Sequence, residues 1–260
     1  MTAYGSQPAA PSMATASLRA LLQAGPVLGT FQVIGHPSVT EVLARVGVQV
    51  IVPDAEHAAL DLADLEHLVR AGQAAGAHVV LRLPRADVGL SRALDTGASG
   101  VIVPRVESAA DAAQIVRYTR FPPVGERGLG AGRATAYALD LATHRSTAND
   151  ALLVVAMVET RAGLQAVDEI VAVDGIDVIM VGPADLASSL GVDAGGPEHS
   201  AAVERVMSAA LAAGRTVGIH CASVDDARRY HELGVDFLLI ATDVAFLASA
   251  ASPHFPTQLR

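Results

Sequence analysis

Along the chain, short apolar runs rich in Val and Ile alternate with Ala- and Leu-rich amphipathic stretches. The runs are Val27–Val33, Val48–Pro53, Val79–Leu83, Gly100–Pro104, Leu152–Val158, Val178–Val181, Thr216–Ile219 and Phe237–Ala241. They lack the clean polar–apolar alternation of a half-buried strand, so each reads as a strand covered on both faces. Between them, Leu62, Leu65, Leu68 and Val69 recur at helical spacing, as do Ala109, Ala112, Ala113 and Val116, and Val203, Val206, Met207 and Ala210. A weak internal repeat marks the same unit. Gly47, Gly97, Gly175 and Gly234 each precede a strand run, where a left-handed glycine would end the helix before it. Eight strand-then-helix units in roughly 240 residues predict an α/β fold of the (β/α)8 barrel type. No G-x-G-x-x-G follows the first run, which counts against a dinucleotide-binding sheet. Residues 1–16 are small, polar and proline-punctuated, and read as a disordered tail ahead of one catalytic domain over 17–260.

In such a barrel the chemistry lies just past the C-terminal ends of the strands. The second run is followed by Asp54-Ala55-Glu56-His57, and the third carries Arg82 near its end. The fourth ends at Pro104-Arg105, the fifth at Glu159-Thr160-Arg161 and the sixth at Gly182-Pro183-Ala184-Asp185. The seventh ends at His220 and the eighth at Asp243. Every strand from the second to the eighth thus hands over to a polar or ionisable group, a regularity that packing alone does not require. Glu159 and Asp185, from adjacent strands, offer oxygen ligands to a hard divalent cation, although each also suits the first turn of a helix. Arg82 in an apolar strand must be matched by an anion, either a substrate or a distant acid such as Glu56. His57 is as well placed to start a helix as to catalyse. His78 enters its strand from the opposite, stability face. The loop from Gly125 to Arg133 (GERGLGAGR) could cradle phosphate or serve as a mobile lid.

Composition narrows the chemistry. All 18 basic residues among the 260 are Arg and none is Lys. A lysine Schiff base is therefore excluded, and with it imine-forming aldolases and pyridoxal-phosphate enzymes. A formal net charge of -9 without a basic cluster argues against nucleic acid or an anionic membrane as partner. The single Cys221 permits no intrachain disulfide and fits a reducing, cytoplasmic setting, and the apolar stretch from Phe237 to Ser252, short for a membrane span and carrying Asp243, reads as buried core.

At these positions the sequence resembles the HpcH/HpaI family of metal-dependent class II pyruvate aldolases. The resemblance is carried by Asp54-x-Glu56-His57, Arg82-x-Pro84, Val103-Pro104, Gly125-x-Arg127-Gly128, Val158-Glu159-Thr160 and Gly182-Pro183-Ala184-Asp185-Leu186, and it runs from about Gly25 to Ala250. It implies a (β/α)8 subunit in a homo-oligomer, a hexamer built as a trimer of dimers, whose last helix is exchanged between subunits. It implies that Glu159 and Asp185 bind Mg2+, Mn2+ or Co2+, that Arg82 contacts the 2-oxo acid and its enolate, and that His57 moves the proton. It also implies that Asp95 orients His57. The reaction implied is reversible cleavage of a 4-hydroxy-2-oxo acid into pyruvate, or a close 2-oxo acid, and an aldehyde.

Two substrate contacts complete this reading. Backbone N–H groups of the helix start, at Gly182, Ala184 and Asp185, would receive the substrate carboxylate, and His220 would line the aldehyde side. A 4-hydroxyl with a pKa of about 15.7 lies roughly 9 units above neutrality, on the order of 12 kcal/mol, of which one general base supplies about 3–5. The cation and Arg82 must therefore stabilise the enolate. An acyl-CoA ester lyase on the same barrel and a non-catalytic barrel that binds an anionic metabolite are the alternatives.

Overall fold

The computed structural model describes residues 16–255. Eight parallel strands close a barrel in which each pairs with the next and the last with the first. They are β1 (Val27–Gln32), β2 (Val50–Pro53), β3 (His78–Arg82), β4 (Gly100–Val103), β5 (Leu153–Val158), β6 (Val178–Val181), β7 (Thr216–Cys221) and β8 (Phe237–Thr242). All eight coincide with the apolar runs, and at least one helix follows each. The repeat glycines Gly47, Gly97, Gly175 and Gly234 all hold positive φ, as helix stops should. The disorder expected of the N-terminal tail falls, for residues 1–15, outside the described residues.

Strand side chains alternate between two faces, and the barrel sorts them accordingly. Phe31, Val50, Val52, Val80, Leu153, Val155, Met157, Val178, Met180, Phe237 and Leu239 point inward and form one buried cluster. Their neighbours Val79, Leu81, Val154, Ala156, Ile179 and Val217 point outward into a second cluster shared with the helices. The apolar runs look continuous in the sequence because both faces are covered.

The two ends of the barrel differ. A helix absent from the sequence pattern, Leu18–Ala24, places Leu18 and Leu22 in the inner cluster and so closes the N-terminal end. The C-terminal helix Asp243–Ala251 leaves its apolar side chains uncovered: Val244, Phe246 and Leu247 are exposed, and only Asp243 is buried. Asp243 accepts the backbone N–H groups of Val33 and Ile34 at 2.9 Å each, tying the end of β8 to the loop after β1. Its role is thus to brace the barrel. Among the described residues no helix is long and apolar enough to cross a membrane.

Candidate active site

The inward alternation continues one step past the last apolar layer. Phe31, Asp54, Arg82, Glu159, Gly182 and His220 lie two residues beyond Gly29, Val52, Val80, Met157, Met180 and Gly218. All six line a cavity of about 180 Å3 at the C-terminal mouth, joined by His57, Ala184 and Asp185. The chemistry is therefore the top layer of the barrel interior, placed there by strand geometry.

Arg82 is tightly held. Its Nε and Nη2 donate to the two oxygens of Asp54 at 2.8 and 2.7 Å, a bidentate pair across the β2–β3 junction. Its Nη1 lies 3.2 Å from Glu56 Oε2 without hydrogen-bond geometry, and the guanidinium covers the Phe31 ring at 4.5 Å. Asp54 also accepts the backbone N–H groups of Glu56 and His57 at 3.1 and 3.4 Å, which shapes the turn that carries His57. Burial opposes the Asp54 charge, but these donors outweigh it and hold its carboxyl below the ordinary value. Of the two anions the sequence offers Arg82, a substrate or an acid such as Glu56, the acid is present as an ion pair, and the bidentate partner is Asp54.

Glu159 is 3% exposed, and its Oε1 accepts the Arg105 N–H at 2.9 Å. Burial pushes its carboxyl up to about 7, and the charges of Asp185 and Glu56 push the same way against Arg105 and Arg82. Burial likewise raises Glu56. Four carboxylates, Asp54, Glu56, Glu159 and Asp185, thus crowd one mouth, and the buried Arg82 guanidinium is already engaged bidentately by Asp54. Among the described residues no group of three or more His, Cys, Asp or Glu side chains is arranged around a common metal position. Two protein carboxylates facing an open cavity nonetheless fit a hard divalent cation that takes its remaining ligands from water and substrate. Its charge would relieve the crowding that raises Glu159.

Gly182 has a packing role here. An added Cβ would overlap Glu159 Oε2 and stand 2.8 Å from Glu159 Cβ, so only glycine leaves Glu159 its place. Its N–H is engaged by the Val158 carbonyl at 3.3 Å, and Pro183 has none, so the donors at this helix start are Ala184 and Asp185. His220 lies within β7, its Nε2 3.3 Å from the Ala241 carbonyl and its ring 5.6 Å from Phe31. Burial, with Arg82 nearby, lowers its pKa and favours a neutral imidazole. His57 is exposed at the rim, its Nε2 3.6 Å from Glu56 Oε2.

The family model for HpcH/HpaI aldolase/citrate lyase matches residues 28–250. The chain belongs to this family. A hydroxypyruvate/pyruvate aldolase of Roseovarius nubinhibens is 40% identical over 231 residues, which cover 86% of this chain and 89% of that one. A 5-keto-4-deoxy-D-glucarate aldolase of Shigella sonnei is 33% identical, covering 86% and 88%. The crystal structure of an HpcH/HpaI aldolase/citrate lyase family protein from Burkholderia cenocepacia superposes with a TM-score of 0.85 at 36% identity, covering 90% of this chain and 96% of that one.

Within this HpcH/HpaI subunit Asp95 does not meet His57. It follows the helix Gly89–Leu94, which runs from the mouth back to the N-terminal face, and its Oδ1 accepts from Arg127 Nη2 at 3.0 Å. The helix direction separates the two residues by the height of the barrel. The glycine-rich loop is likewise no lid over this mouth. Arg127, the Ala134 N–H on the Asp95 carbonyl at 3.0 Å, and Arg133 on the Thr96 carbonyl at 2.9 Å pin it to the N-terminal side. Sequence reasoning passed over Asp54 and Phe31 as site residues. Counting in twos along β1 and β2 would have found both.

Proposed function

We propose that the chain is a divalent-metal-dependent aldolase that reversibly cleaves a 4-hydroxy-2-oxo acid into pyruvate, or a close 2-oxo acid, and an aldehyde. The observation that carries this reading is the convergence of Arg82, Glu159 and Asp185 on one cavity in a chain without lysine. An aldolase must hold the carbanion left when the C–C bond breaks, and with no amine for an imine it needs cationic stabilisation. Relatives named as aldolases support the same class.

Glu159 and Asp185 would hold Mg2+, Mn2+ or Co2+, which supplies Lewis-acid stabilisation of developing negative charge. The Ala184 and Asp185 N–H groups receive the substrate carboxylate at the helix start. Arg82, fixed by Asp54, presents its guanidinium to the enolate oxygen. His57, at the rim, takes the proton of the 4-hydroxyl, with Glu56 beside its Nε2. His220 and Phe31 form the wall that the aldehyde half meets.

The exposed apolar helix Asp243–Ala251 supports a homo-oligomer that exchanges this helix, with a trimer of dimers as the assembly. Asp95 can serve a His57 only across a contact between two copies, the N-terminal side of one barrel against the mouth of another.

The deciding experiment is solvent-deuterium exchange into the pyruvate methyl. Exchange is expected with added Mg2+ or Mn2+, to be abolished by chelator and to be strongly reduced in Glu159→Gln. Exchange that is indifferent to chelator would refute the reading.

A further inference from the structure

A second cavity, of about 260 Å3, opens on the N-terminal side of the barrel, at the other end of the strands from the mouth. Its polar lining includes Arg127, His78, His144 and Ser99, and it contains no carboxylate. The Arg127 side chain is 2% exposed. Its Nη2 serves Asp95 and its guanidinium lies 4.7 Å from the Phe121 ring centre, yet its Nε–H has no acceptor. His144, against Phe121 with ring centres 5.7 Å apart, has an unpartnered Nε2, and so does His78. Among the described residues, four buried side-chain polar atoms lack a hydrogen-bond partner, and three of them are on residues that line this cavity.

We propose that this cavity binds a small oxyanion, a carboxylate or a phosphate, between Arg127, His78 and His144. An arginine Nε–H can only donate, so its missing partner is an acceptor. His78 Nδ1 lies 3.1 Å from Ser99 Oγ, and a hydroxyl donating there leaves the His78 proton on Nε2, where it also seeks an acceptor. Water would satisfy one such donor. An oxyanion offers several lone pairs and also balances a guanidinium whose one carboxylate partner, Asp95, is a third exposed. Burial works against the Arg127 charge, and Asp95 alone opposes it. A metal cation is disfavoured because the guanidinium repels it and no carboxylate lines the cavity.

Imidazole NMR of the intact protein, titrated separately with inorganic phosphate and with acetate, tests this. The His78 and His144 signals, assigned through His78→Gln and His144→Gln, are expected to shift together and saturate with at least one anion. The tighter of the two names the class. Arg127→Gln is expected to weaken that binding at least about tenfold, the loss of one charge-assisted hydrogen bond. Should that variant fail to fold, His144→Phe, which fills the same space with an apolar ring, is expected to abolish the saturable shift at His78. Shifts that stay linear with both anions, or a saturable His78 shift unchanged in His144→Phe, would overturn the proposal.

Discussion

At the scale of single residues, the pairing of Arg82 with Asp54 governs both stability and chemistry. The Asp54 side chain is 3% exposed, so removing Arg82 leaves a buried, unanswered carboxylate. Arg82→Ala is expected to cost about 3–5 kcal/mol of unfolding free energy and to stop pyruvate deuteration. The double change Arg82→Met with Asp54→Asn removes both charges, and chemical denaturation should show most of that stability restored while exchange stays absent. Restored exchange in the double variant would mean that Arg82 acts only as a structural partner. The apolar surroundings of Arg82 made it legible in the sequence that its charge must be matched. Choosing Asp54 over Glu56 required the register of β2 against β3, in which Asp54 sits opposite Arg82, and composition carries no register.

At the scale of elements, the strands and their glycine stops were legible because burial on both faces leaves an unbroken apolar run. The helix Leu18–Ala24 was not. It has seven residues and buries only Leu18 and Leu22, too few to print a helical period. The helix Leu141–Ala151 buries only Ala148 and is hidden for the same reason. Yet the first of these closes the barrel floor, where Leu18 is 1% exposed. Leu18→Ala is expected to cost about 2–5 kcal/mol, measured by denaturant unfolding, with the site at the opposite end keeping its metal-dependent exchange. Asp95 stands between the helix Gly89–Leu94 and the start of β4, so the strand-then-helix order itself puts it at the N-terminal end of the barrel, away from the His57 of its own subunit.

At the scale of the whole molecule, the uncovered helix Asp243–Ala251 calls for another surface. Phe246 and Leu247, 42% and 61% exposed, should bury on assembly. Phe246→Asp with Leu247→Asp is expected to shift the protein toward monomers in light scattering, while a monomeric wild type would remove the case for exchange. Acid response is a second property of the whole fold. Burial lowers the pKa of His78 and of His144 below 6.5, so the unfolded chain binds these protons first as pH falls. Their contribution is complete above pH 6.5 and is lost progressively below it. Glu159, raised from 4.5 to about 7, has the opposite sign, favouring the fold as pH falls from about 7 toward 4.5. The comparison is therefore between wild type and His78→Gln in phosphate-free buffer, and the variant should lose less stability on acidification.

The alternation that sets Phe31, Asp54, Arg82, Glu159, Gly182 and His220 on one face also constrains how such a gene can change. Each strand is read in a frame of two. Deleting one residue ahead of Arg82 in β3 would carry a leucine into the mouth and turn the guanidinium toward the helices. Paired changes, or changes of length in the loops beyond the mouth, leave the frame intact. Replacement in place, as at Phe31 or His220, also keeps the frame, so the pleat forbids single-residue changes of strand length while leaving the side chains at the mouth free to vary.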